Sequence, residues 1–229
     1  MSVGVVIPAA GQGKRMGTKE SKQFLSFQDR PILIHTLHIF ETHPEVDEIV
    51  IAVREDEIGR VRQMVAEAGL KKVTHVVTGG QERQDSVYSG LQVLSSEWVL
   101  VHDAVRPFVS HEAITRLLTD VKMHGAAILA VPVKDTVKMV DAAGIVESTP
   151  DRKRLWAVQT PQAFRADMLM EAHEQGRKIG AMVTDDAMLV EELGIDVRVV
   201  EGEYTNIKLT TPDDLVLAEA IYQMRSKRL

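Results

Sequence analysis

The sequence predicts an α/β fold: a mostly parallel twisted sheet covered by helices on both faces, with one β-hairpin standing outside it. Three observations carry this prediction. Short apolar runs without polar alternation recur along the chain, as in strands buried on both faces. Amphipathic stretches of helical length separate them, giving a βαβα rhythm. One segment, residues 136–155, breaks that rhythm with two short alternating runs around Asp141-Ala142-Ala143-Gly144, which is a hairpin pattern.

In order, the apolar runs are residues 3–7, 49–53, 73–77, 98–101, 127–131, 156–159 and 197–200. The amphipathic stretches are 31–43, 56–68, 85–94, 111–123, 165–178 and 185–193, with a last helix from 212 to about 224. Pro31 suits a first helical position. Ser110 is a good N-cap with Glu112 in the first turn. Thr211, Pro212 and Asp214 supply an N-cap, a Pro at N1 and an acid at N3.

At 229 residues the chain is read as one domain, 1–229, in which 136–155 form an arm. Its 45% hydrophobic and 26% charged residues are ordinary for a globular protein. A net charge of −6 argues against a general nucleic-acid binder. The absence of cysteine excludes disulfides, thiolate catalysis and Cys-ligated zinc. No apolar run approaches ~18 residues, so no membrane span is expected. The first strand opens the sequence, which argues against a signal peptide and for a reducing, cytoplasmic setting. The chain ends soon after Met224, so no fused second enzyme is expected.

Chemistry concentrates first at residues 3–22. After the buried run, Pro8-Ala9-Ala10-Gly11-Gln12-Gly13 is small enough to let a ligand approach the backbone, and its N–H groups can cradle phosphate oxygens. Lys14, Arg15, Lys19 and Lys22 follow closely, which suggests a nucleoside triphosphate site. The glycines at 11, 13 and 17 match neither the Walker A spacing nor the dinucleotide fingerprint. Pro8-Ala9-Ala10-Gly11-x-Gly13-x-Arg15-Met16 with Lys22-Gln23 resembles the signature of nucleotidyltransferases that act on sugar and polyol phosphates. Among them it is most similar to the 2-C-methyl-D-erythritol 4-phosphate cytidylyltransferase family of the non-mevalonate isoprenoid pathway. That resemblance implies a Rossmann-like sheet, Pro8, Ala9, Ala10, Gly11 and Gly13 around the nucleotide, and Arg15 and Lys22 at the reacting phosphate.

Later segments extend the resemblance. Gly79-Gly80-Gln81-Glu82-Arg83-Gln84-Asp85-Ser86 reads alone as a turn with capping residues. It resembles the family's base-reading loop, which implies that Gly80, Gln81 and Ser86 contact cytosine; Gln81 stands where the family often has Asp. In His102-Asp103-Ala104-Val105-Arg106-Pro107 a charge lies just past a buried strand, so Asp103 and Arg106 must face a cleft or each other. By resemblance Asp103, Ala104 and Arg106 lie at the ribose and polyol, while His102 reads as a structural histidine.

Residues 152–154 read by composition as a solvated basic turn. By resemblance Thr136 and Arg152 lie on a dimerisation arm and contact the polyol phosphate, Arg152 as a bidentate clamp. Thr160, Thr184 and Lys208 are carried over in the same way, the first two as substrate contacts and Lys208 at the reacting phosphates. The implied partners are CTP and 2-C-methyl-D-erythritol 4-phosphate, without nucleic acid or membrane, in a homodimer joined through the arm. The implied cofactor is Mg2+, held mainly by CTP phosphates with Asp103 as a further ligand. No His/Asp/Glu grouping has the spacing of a protein-made metal site. Two alternatives stand beside this reading: a ribitol 5-phosphate cytidylyltransferase, and a nucleotide-binding regulator without catalysis. The intact set Arg15, Lys22, Arg152 and Lys208 argues against the second.

Overall fold

The computed structural model describes residues 1–11 and 21–227. In chain order the strands are β1 (Val3–Pro8), β2 (Ser26–Phe27), β3 (Arg30–Pro31), β4 (Glu48–Val53), β5 (Val73–Thr78), β6 (Trp98–Val101), β7 (Ala126–Pro132), β8 (Met139–Val140), β9 (Val146–Ser148), β10 (Trp156–Arg165) and β11 (Arg198–Glu201). The α-helices are α1 (Ile32–Thr42), α2 (Ile58–Glu67), α3 (Arg83–Leu91), α4 (His111–His124), α5 (Ala166–Ile179), α6 (Asp186–Glu192) and α7 (Pro212–Ser226). A seven-stranded sheet runs in the order β11-β7-β10-β6-β1-β4-β5. Only β10 is antiparallel to its neighbours β6 and β7; the other pairings are parallel.

The unalternating apolar runs are explained by two cores. In β1, Val5 and Ile7 face a core shared with Leu33 and Phe40 of α1, Val61 of α2 and Leu117 of α4. Val6 faces the opposite core, with Val87 of α3, Leu169 of α5 and Val190 of α6. Both faces of the strand must therefore be apolar, each such side chain contributing about 1.5–3 kcal/mol on burial. α7 covers a smaller cluster built on Phe27, Phe108 and Leu209.

The structure departs from the sequence reading at identifiable points. Pro31 is not inside α1: its ψ of 141° keeps it extended, and it pairs with Ser26 before the helix begins. The expected strand at 156–159 continues to Arg165. A register shift between Val158 and Gln162 bulges residues 159–161 out of the ladder, so Pro161 removes no hydrogen bond there. α3 starts at Arg83 because Glu82 and Asp85 form a capping box.

The arm at 136–155 is a hairpin in which β8 pairs antiparallel with β9. The Asp141 carboxylate accepts from the N–H groups of Ala143 (2.9 Å) and Ile145 (2.8 Å), and Gly144 takes φ +81°, which closes the turn. Met139, Val140, Ile145 and Val146 are each more than half exposed.

Candidate active site

Loops leaving the carboxyl ends of β1, β5 and β6 meet over the sheet, where open α/β folds bind ligands. At the exit of β1, the Ala9 N–H donates to the Ala52 carbonyl at 2.7 Å. At the exit of β5, the Gly79 N–H donates to the Val53 carbonyl at 2.7 Å. A Cβ on Gly79 would lie 2.7 Å from both the Ala10 Cβ and the Ser86 Oγ, so only glycine lets these two loops touch. The buried Ser86 hydroxyl accepts from the Gly80 N–H (3.2 Å) and donates to the Glu82 carbonyl (3.3 Å), fixing the loop that opens α3. Together these walls enclose a hollow of about 200 Å3.

Its floor is a charge cluster around Asp103. The carboxylate lies 2.7 Å from Lys208 Nζ, 3.2 Å from Arg83 Nε and 3.6 Å from Arg106 Nε. Burial pushes this carboxyl up, but Arg83, Lys208 and Arg106 outweigh it and hold it well below the usual carboxylate range. Arg83 reaches on to Asp186 at the start of α6, Nη1 to Oδ2 2.6 Å. Arg106 Nη1 donates to the Asn206 carbonyl at 2.7 Å, and the Leu209 N–H donates to the Val105 carbonyl at 2.9 Å. Residues 206–210 form no strand; the buried Asn206 and Leu209 pin them on either side of Lys208. A second hollow of about 220 Å3 adjoins the first, bordered by Arg106, Thr160, Gln162, Thr184 and Asp185. Arg83, Asp103 and Lys208 border both.

The structure thus gathers most of the residues marked in the sequence. Pro8, Ala9, Ala10, Gly11, Lys22, Gly80, Gln81, Ser86 and Ala104 line the first hollow, Arg106, Thr160 and Thr184 the second, and Asp103 and Lys208 both. Thr136 and Arg152 border neither; both are exposed at the arm, where Arg152 Nη1 donates to the Lys134 carbonyl at 2.6 Å. Gly13 and Arg15 lie outside the described residues. Arg83 is a site residue that its loop sequence does not mark. Its partner Asp186 lies 103 positions away, so nothing local in the sequence signals the link.

His102 is fully buried, its ring bonded to the Arg106 carbonyl at Nε2 (3.0 Å) and to the Thr160 hydroxyl at Nδ1 (3.2 Å). Burial lowers its pKa from 6.5 to about 4, so the ring is neutral at physiological pH. The unfolded chain then binds this proton at a higher pH than the folded one. The stabilisation is complete above pH 6.5 and is lost progressively towards about 4, at about 1.4 kcal/mol per pH unit. Urea denaturation between pH 7 and 4.5 should show this slope, and His102→Gln should flatten it by one proton.

Among the described residues no group of three His, Cys, Asp or Glu could hold a metal ion. The first hollow offers the buried Asp103 carboxylate at its floor. This donor set fits a Mg2+ ion carried chiefly by phosphate oxygens, since Mg2+ commonly takes one or two carboxylates plus substrate phosphates. No helix among the described residues is long and apolar enough to cross a membrane.

A family model described as 2-C-methyl-D-erythritol 4-phosphate cytidylyltransferase matches residues 3–224. The protein of that name from Bacillus velezensis is 51% identical over 224 residues, covering 97% of this chain and 96% of its own length. Its counterpart from Geobacillus thermodenitrificans is 49% identical over 226 residues, covering 98% of this chain and 99% of its own. The crystal structure of the 4-diphosphocytidyl-2C-methyl-D-erythritol synthase from Anaerococcus prevotii matches with a TM-score of 0.85 at 33% identity, over 97% of this chain and 98% of that one. The 2-C-methyl-D-erythritol 4-phosphate cytidylyltransferase from Thermus thermophilus matches with a TM-score of 0.79 at 36% identity, over 97% and 100%.

Proposed function

The chain belongs to the 2-C-methyl-D-erythritol 4-phosphate cytidylyltransferase family, and from that premise we propose which of its residues carry the transfer. The enzyme transfers CMP from CTP to 2-C-methyl-D-erythritol 4-phosphate, giving 4-diphosphocytidyl-2-C-methyl-D-erythritol and pyrophosphate in isoprenoid precursor synthesis. The substrate phosphate attacks the α-phosphorus of CTP in line, and pyrophosphate leaves. The nucleophile is already an anion, so no strong base is needed. The barrier lies in bringing two polyanions together and holding the charge that builds at phosphorus, which makes positioning and cations decisive.

One observation supports the assignment above the rest: two adjoining hollows share Arg83, Asp103 and Lys208. In this reading CTP occupies the first hollow, with its base against Gly80, Gln81 and Ser86. The polyol phosphate occupies the second, against Arg106, Thr160 and Thr184. Lys208 at the junction reaches the attacking phosphate, and Arg15 and Lys22 stabilise the α-phosphate. Asp103 would be the protein ligand of a Mg2+ ion held chiefly by the triphosphate, which would supply further positive charge there. CTP belongs to the cytoplasmic nucleotide pool, where this reading places the enzyme. Pyrophosphate release from CTP, assayed with each polyol phosphate in turn, tests the substrate. Release is expected with 2-C-methyl-D-erythritol 4-phosphate; release with ribitol 5-phosphate alone would reject it.

The arm serves a neighbouring subunit in this proposal. An isolated two-stranded hairpin is marginal in water, and exposed apolar side chains such as Ile145, 65% exposed, need a partner surface. Arg152 and Thr136, which border neither hollow of their own subunit, then complete the neighbour's second hollow. Mixing inactive Arg152→Ala subunits with inactive Lys208→Ala subunits should restore up to about a quarter of wild-type activity, because a mixed two-fold dimer contains one intact site. No recovery from a mixture shown to exchange subunits would reject the sharing.

A further inference from the structure

We propose that Gln23, together with Ser21, is a positioning device for Lys22 in the triphosphate half of the site. Gln23 sits on a one-turn helix, Lys22–Phe24, directly beside Lys22 and against the first hollow. Gln23 is 2% exposed, and its Nε2 donates to the Ala9 carbonyl at 2.6 Å. A carbonyl only accepts, so this partner fixes which way the amide points. Ala9 is itself held by the 2.7 Å bond from its N–H to the Ala52 carbonyl. A continuous hydrogen-bonded chain thus runs from β4, through the small-residue wall of the hollow, to the backbone beside Lys22.

The other flank of Lys22 is held independently. The Ser21 hydroxyl donates to the Glu57 carboxylate at 2.8 Å, with both residues 8% exposed. Phe24, 4% exposed, packs into the main core with the Arg60 guanidinium 4.2 Å over its ring. The residue before Lys22 is therefore tied to the turn that opens α2, and the residue after it to the exit of β1. Core filling alone would ask for an apolar side chain at 23. A buried amide directed at a backbone carbonyl instead sets the distance between Lys22 and the Ala9–Gly11 wall. In phosphoryl transfer a misplacement of an ångström is costly, and groups fixed beforehand lose little freedom when the reactants arrive.

The inference rests on the reading that Lys22 acts on the triphosphate, and it adds how that lysine is held. The test is Gln23→Met, which keeps the length and bulk and removes the donor. Pyrophosphate release is measured per CTP-binding site, with the sites counted by equilibrium binding. The turnover number per site should fall roughly 10- to 100-fold, while KM for the polyol phosphate stays within about twofold. Gln23→Glu, of the same shape but without the amide donor, should fall at least as far. A Met variant within about threefold of wild type per site, or a loss confined to the number of binding sites, would overturn the proposal. If Gln23→Met yields no folded protein, Ser21→Ala cuts the other tie without emptying the core; reduced turnover per site supports the device and unchanged turnover rejects it. Normal turnover in Lys22→Ala would sink the parent reading. An inactive Lys22→Ala beside a normal Gln23→Met would sink only this inference.

Discussion

Lys22→Ala is expected to lower the turnover number by about 10²–10³ while leaving the protein folded, the range seen when one preorganised donor to a transition-state charge is removed. Lys22 borders the first hollow from a short turn whose anchors are its neighbours, Ser21, Gln23 and Phe24. Its own side chain is half-buried and lies outside the apolar clusters, so truncation removes no apolar core side chain. The loss should appear in single-turnover pyrophosphate release by the folded variant. Arg15→Met is expected to behave alike, on the resemblance of its loop; Arg15 lies outside the described residues. Near-normal turnover in either variant would withdraw that residue's assignment.

Asp103→Asn is expected to damage both stability and turnover. Asp103 is 7% exposed and faces three cations. Neutralising it leaves Arg106 and Lys208 without this counter-charge and Arg83 with Asp186 alone, so three cations repel one another in a partly buried site. The cost should be about 3 kcal/mol, at the lower end of the range for breaking a buried pair, because the Lys208 side chain keeps 36% of its surface in water. The folded carboxyl titrates below its ordinary value of 3.8, so its contribution is present in full above that value and disappears as pH falls below it. The deficit of the variant should therefore be full at pH 7 and shrink in strong acid. Turnover should drop by about 10² or more as Lys208 and Arg83 lose the group that holds them at the junction. Denaturant titration and steady-state kinetics measure the two effects. A variant as stable and active as wild type would show that the cluster does not organise the site.

The layout of the sheet could be read from the sequence because its interior strands are buried on both faces, and an uninterrupted apolar run has few other uses. β1 and β4 show this: apart from Pro8 at the end of β1, every residue in the two strands is buried. What was not legible depended on partners far along the chain. The bulge in β10 exists only against β7, so the apolar run ends at 159 although the strand does not. β2 and β3 span two residues each, too short for any period to show. Pro31 fits a helix start by local propensity, but pairing with Ser26 overrides it. In the site, Gly80, Asp103 and Lys208 are marked by the family resemblance of their segments rather than by their residue types alone. Arg83 looked like one polar residue in a polar loop until Asp186, in another helix, came to meet it. Gln23 was visible as a letter of a motif, but its buried bond to Ala9 was not.

The sharing of Arg83, Asp103 and Lys208 between two adjoining hollows also bears on how a catalytic cycle ends. Under the proposed occupancy, the linked product would fill both chambers at once and touch more of this surface than either reactant does alone. Its departure, rather than bond-making, should then set the ceiling on speed. The same feature suggests a design for blocking the enzyme: a non-reactive bisubstrate mimic that straddles the shared trio would inherit the grip of both chambers in a single encounter.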